Sequence, residues 1–205
     1  ERQSGQGVSS DINGYACAGQ ITGGSYSNVI DKFPFSLETN ATDVGDLITG
    51  VTSGGSQGAA SEVFGYTING YSPGGYGNTI EKFPFSSDTN ATDVGELTEV
   101  RYNVAGQSSL VSGYSSGGIS PPRVNTIDKF PFSSDTPATD VGNIVVKAGA
   151  SGQSSSVNGY ASGGDLNPSG ARTDGIDKFP FSSDTNRSDV GELTQARTES
   201  SGQQI

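Results

Sequence analysis

The groups in this sequence that could do chemistry are carboxylates, and they recur. Thr/Ser-Asp-Val-Gly appears at Thr42 to Gly45, Thr92 to Gly95, Thr139 to Gly142 and Ser188 to Gly191. The second copy places Asp88, Asp93 and Glu96 along one short segment. Two carboxyl groups suffice to hydrolyse a glycosidic bond, one as acid and one as base or nucleophile. Most other catalytic options are removed, because histidine is absent and Cys17 is the single cysteine. That excludes Ser-His-Asp and Cys-His nucleophiles and leaves no zinc or iron–sulfur ligand set. The acids, however, repeat in every copy, whereas an active site occupies one place in a fold. Aspartates that cap turns account for all four copies, so no catalytic residue is assigned.

The run Asp88-Thr89-Asn90-Ala91-Thr92-Asp93 also alternates oxygen-bearing residues, as a calcium loop does. Its counterparts break the pattern: Pro137 replaces the asparagine in the third copy, and Glu38 opens the first. An Asx-turn fits every copy, and neither a metal nor a cofactor is expected. The sequons at Asn40, Asn90 and Asn186 fall in the same segments and read as turns.

Binding chemistry concentrates where the copies differ. Between a shared Gly-Tyr pair and a shared Phe-Pro-Phe, the segments carry Tyr26, then Tyr71 and Tyr76, then Arg123 after two prolines, then Arg172. Tyrosine and arginine supply contact energy at low entropic cost. These five are the candidate ligand-binding residues, with tolerant surface loops as the alternative reading.

The elements that must position them follow from the repeat. Ile-Asp/Glu-Lys-Phe-Pro-Phe begins at Ile30, Ile80, Ile127 and Ile176, at spacings of 50, 47 and 49 residues. Upstream stand Gly14-Tyr15, Gly65-Tyr66, Gly113-Tyr114 and Gly159-Tyr160, each with another glycine four residues on. Downstream of Asp-Val-Gly come Leu47, Leu97, Ile144 and Leu193. Gly or Pro interrupts every segment and no 3.6-residue period appears, which excludes helix. A period near 50 residues suits a propeller blade of four short strands. The strands expected are a polar one with Gly-Gln, one with Gly-Tyr, one with Phe-Pro-Phe, and one through Val-Gly-Glu-Leu-Thr.

Residues two apart in a strand share a face. Phe33 and Phe35, with Phe83 and Phe85, Phe130 and Phe132, and Phe179 and Phe181, are therefore the expected structural core, packed against the neighbouring blade. Pro34 and its counterparts cannot donate a ladder hydrogen bond and imply a bulge or an unpaired position. The fold class is thus all-β, a propeller of four-stranded blades. The approximate units are residues 1–49, 50–99, 100–146 and 147–194, and 195–205 start a further one. The array then either continues into a larger ring or closes by overlapping terminal strands.

Apolar residues make up 31% of the 205, and the net charge is −11. Such a composition resembles that of disordered chains, but the fixed placement of aromatic residues calls for a series of small cores. Eleven basic residues against 22 acidic ones offer no footprint for nucleic acid. No apolar run is long enough for a membrane helix, so no membrane insertion is expected. The first residue is Glu1 and methionine is absent, which reads as a processed or excised piece of a longer chain.

Gly-Tyr-x-x-x-Gly, a variable loop, an Ile-Asp-Lys strand, a Ser-Asp-Thr turn and Gly-x-Leu-Thr-x-x-Arg (Gly95 to Arg101) resemble the kelch-like repeats of marine bacteriophage tail-fibre and virion surface proteins. The resemblance covers essentially the whole chain. The arginine is missing after Ile48, and Lys147 stands near that place in the third unit. A copper oxidase on a kelch scaffold would lack its imidazole ligands here. Asp-Val-Gly partly resembles the Asp-box of sialidase-type propellers, from which Ala91 and Leu97-Thr98 depart. The resemblance implies a non-enzymatic binding module on a phage particle surface, recognising a host-envelope glycan or protein. Other virion subunits and a larger oligomeric assembly are implied partners. Virion decoration or bridging, and a carbohydrate-active enzyme, are the alternatives.

Overall fold

The computed structural model describes residues 2–51, 57–68, 70–200 and 202. Its strands form four antiparallel four-stranded sheets, arranged as propeller blades. Blade one comprises Gln6–Ser9, Asn13–Cys17, Val29–Pro34 and Thr42–Asp46. Blade two comprises Ala59–Ala60, Phe64–Ile68, Thr79–Pro84 and Thr92–Glu96. Blade three comprises Ala105–Ser108, Ser112–Ser116, Thr126–Pro131 and Thr139–Asn143. Blade four comprises Ser151–Ser154, Asn158–Ser162, Gly175–Pro180 and Ser188–Glu192. Each is a simple meander, first strand to fourth.

Local chemistry sets each turn and irregularity. A serine closes the first hairpin of every blade: Ser10, Ser61, Ser109 and Ser155 each accept from the backbone N–H three residues on. In the third strand, the pairing with the fourth slips by one residue beside the hexapeptide isoleucine. The glycine of Asp-Val-Gly supplies the backbone for that bulge, with φ from +144° to +152°, a region that glycine alone enters cheaply. Its N–H donates to the aspartate two residues earlier at 3.0–3.2 Å in all four blades. The repeating aspartates therefore cap bulges. Pro34 pairs only with Asn13, because the ladder to the fourth strand stops at Lys32 and Thr42. The fourth strand runs Thr/Ser-Asp-Val-Gly-x and ends before the leucine, earlier than its expected course through Leu-Thr.

The core lies between blades, not within them, since each sheet has two apolar faces and must cover both. Tyr15 of blade one packs on Phe83 (5.3 Å between centroids) and stacks on Phe85 (5.1 Å) of blade two. Tyr66 does the same to Phe130 and Phe132, and Tyr114 to Phe179 and Phe181. Three such clusters exist among the described residues, one per internal junction. The glycine before each tyrosine pairs with the phenylalanine of the next strand in the same blade, whose ring lies over it. Any Cβ there would overlap the ring, which explains the invariable Gly-Tyr. Phe33 and Phe35 depart from the expected burial: they are 38% and 56% exposed. Among the described residues no tyrosine packs on them, only each other's rings at 6.0 Å.

Polar groups staple the same junctions. Gln6 Nε2 donates to Ile68 O at 2.5 Å while its Oε1 accepts from Ile68 N, and Gln107 reaches Tyr160 O at 2.9 Å. Lys32, Lys82 and Lys129 pair with Asp88, Asp135 and Asp184 of the next blade at 2.5–3.0 Å. Being open to solvent, each such pair contributes less than about 1 kcal/mol. Cys17 is buried at the first junction, and burial pushes its thiol pKa up to about 12. Native protein at pH 8 is accordingly inert to thiol reagents, since the thiolate is the nucleophile. One equivalent should react only as denaturant opens the junction, and stoichiometric labelling without denaturant would contradict this packing.

Candidate functional site

Alternation of strand direction puts the loops after the second strand, and the links from the fourth strand to the next blade, on one side of the array. The variable segments therefore share a face with these links. Tyr71–Ser72 and Gly75–Tyr76 form a two-stranded ribbon at the tip of blade two. Tyr26 projects from blade one, its backbone paired to Gln20. Tyr102 comes from the link into blade three, bridged to Ile119.

These four tyrosines form one cluster. Tyr26 meets Tyr71 edge-on at 6.1 Å, and Tyr71 lies 5.6 Å from Tyr76 and 6.4 Å from Tyr102. Tyr76 and Tyr102 stack at 4.9 Å and 3°. Tyr71 and Tyr76 are each 38% exposed, so the cluster presents ring surface to solvent. Burial and the adjoining Tyr76 push the Tyr102 phenol above its usual pKa, while Arg123 pulls it partly back. The Tyr102 phenol thus keeps its proton and stays a neutral hydrogen-bonding group. Clustered aromatic rings with hydroxyls at their margins suit a ligand that offers both apolar faces and hydrogen-bonding groups.

Arg123 belongs at the margin of this cluster. Its backbone pairs with Ile119, which also bridges Tyr102. Its guanidinium is 4.0 Å from Asp165 of blade four, and its buried Nε has no hydrogen-bond partner. Arg172 is exposed on the blade-four loop, its backbone bridged to Asp165, and it makes no contact with a tyrosine among the described residues. Tyr26, Tyr71 and Tyr76 are therefore brought together, Arg123 adjoins them, and Arg172 stands apart.

Tyr102 was not among the residues singled out in the sequence. It lies in a link rather than a variable loop, so comparing loops passes over it. The strand count alone, which puts links and loops on one face, would have found it.

The acids of the apparent calcium loop serve separate purposes. Asp88 pairs with Lys32, Asn90 Oδ1 accepts from Asp46 N, and Asp93 caps Gly95. The hexapeptide acids are spent between blades as well. Glu81 accepts from Ile48 N, Asp128 from Thr98 N and Oγ1, and Asp177 from Val145 N. Asp128 is fully buried and pairs with the buried Arg101 at 2.9 Å, as Asp177 does with Lys147 at 3.2 Å and Asp31 with Arg2 at 2.7 Å. Glu81 has no cation among the described residues, and burial pushes its carboxyl above the usual range.

No protein-family model and no curated protein matches the sequence. Among solved structures, that of YjhT, a propeller-type fold, superposes with a TM-score of 0.76 at 12% identity. The match covers 96% of this chain and 67% of that one. At this identity the likeness speaks for the fold alone.

Proposed function

We propose that this chain is a non-enzymatic binding module of a phage particle surface, and that it recognises a host-envelope glycan through the tyrosine face. The observation that carries this reading is the cluster of Tyr26, Tyr71, Tyr76 and Tyr102 on the variable-loop side. Sugar rings offer apolar C–H faces to aromatic surfaces and hydroxyls to phenols, and Arg123 adds hydrogen-bond donors beside them. A propeller hosts many unrelated activities, so the reading rests on this face and on the repeat's resemblance to virion surface proteins. Many copies on a particle would turn weak single-site affinity into avid attachment.

The test is binding of the purified chain to a panel of immobilised bacterial envelope glycans, followed by titration of any binder. Tyr71→Ala and Tyr76→Ala should each weaken binding about tenfold, equivalent to about 1.4 kcal/mol. Arg172→Ala should leave it nearly unchanged. Binding that survives loss of both tyrosines would refute the reading, as would release of reducing sugar from a bound glycan.

A further inference from the structure

Every internal junction shares three contacts, tyrosine on phenylalanine, lysine to aspartate and glycine on the threonine backbone, and the outer faces of blades four and one each carry half of that set. On blade four, Val190 is 45% exposed, whereas its blade-two counterpart Val94 is buried. Tyr160 has no ring partner and Lys178 no acid, among the described residues. Gly191 faces open space, whereas Gly45, Gly95 and Gly142 lie against the backbone of Thr89, Thr136 and Thr185 in the next blade.

Blade one shows the complement. Phe33 and Phe35 await a tyrosine. Glu38, Thr39 and Asn40 stand where Asp88, Thr89 and Asn90 meet Lys32, Gly45 and Asp46 at the first junction. Asp31 stands where Asp128 takes Thr98. The partner that fits either face is therefore another unit of this repeat.

Arg197, Glu199 and Gly202 show how such a unit attaches. Gly164 N donates to Arg197 O at 2.7 Å and Glu199 N to Gly149 O at 2.8 Å. These repeat Gly118 N to Lys147 O and Gly149 N to Asn103 O, both 2.9 Å, one junction earlier. Gly202 lies on Gly152 O as Gly152 lies on Gly106 O. The place of a next blade's first strand is thus taken in cis, which blocks the Arg2–Gln6 segment of a second copy from it. A cavity of about 890 Å³ is lined by Phe33 and Phe35 together with residues of all four blades, among them Val8, Ala59, Ser108 and Ser155. The blades also keep the arrangement of YjhT, a chain of which they span 67%.

We propose that two further units of this repeat, carried on the polypeptide beyond the 197–202 segment, cover both faces and complete a six-bladed ring. The test compares the 205-residue chain with one in which residues 7–103 follow Gln203, adding two units in register. Amide exchange at Val29–Pro34 and Ser188–Glu192 should slow about tenfold or more in the extended chain, which should remain a monomer by native mass spectrometry. Unchanged exchange would overturn the proposal. So would a stable dimer of the 205-residue chain with these strands already protected, since a second copy would then be the occupant. An independent check needs no extension: Phe33→Ser in the 205-residue chain should lower its melting temperature by less than half as much as Phe83→Ser does. Equal drops would mean that the face is already covered, and would also overturn the proposal.

Discussion

Arg101→Ala should lower the unfolding free energy by about 3–5 kcal/mol, the cost of leaving a buried charge without its partner. Both Arg101 and Asp128 are fully buried, 2.9 Å apart. The guanidinium also donates to the carbonyls of Ser115 and Thr126 at 3.1 and 3.2 Å, so its loss frees two acceptors as well. Burial pulls the Arg101 pKa down, and Asp128 is the first of the charges that pull it back. Asp128 keeps the donors of Thr98 but no cation, and its charge then costs more than those two bonds return. Urea denaturation measures the change. Arg101→Ala with Asp128→Asn should recover part of it, because the double variant buries no charge. Arg2→Ala breaks the equivalent pair at a partly exposed place and should cost less than about 1 kcal/mol. Equal losses at Arg101 and Arg2 would show that burial is not what sets the cost.

That contrast shows what was legible in the sequence. Four copies of Phe-Pro-Phe at a spacing near 50 residues specify blades, because only stacked units can cover a face that repeats in this way. The tyrosine, the hexapeptide acid and the basic residue before Gly-Gln were visible as recurring letters. Their partners were not, because each acts across a junction: Tyr66 on Phe130, Asp128 on Thr98, Lys82 on Asp135. Sequence spacing within a unit says nothing about register between units. The Gly-Tyr glycine is the opposite case, since its requirement comes from the next strand of its own blade. The tyrosine cluster was partly legible. Tyr26, Tyr71 and Tyr76 stood out by their variable setting, while Tyr102 belongs to a link, and its contribution depends on which side of the sheet that link emerges.

The Phe130 ring carries the middle junction, and Phe130→Ala should cost about 3–5 kcal/mol, as for other buried aromatic side chains cut to alanine. It is 2% exposed, lies under Tyr66 at 5.5 Å, and covers Gly113 in its own blade. Removing it therefore opens a cavity on one side and uncovers backbone on the other. Phe33→Ala, the same change in the same hexapeptide, should cost less than half as much, because its ring is 38% exposed and no tyrosine packs on it among the described residues. The comparison separates junction packing from intrinsic strand propensity, which is identical at the two positions. In an array of units that touch only their neighbours, weakening the central junction also divides the cooperative unit. Thermal unfolding of Phe130→Ala should then separate into two transitions, blades one and two apart from blades three and four, where the parent shows one. A single transition at unchanged temperature would mean that the junctions are not what holds the blades together.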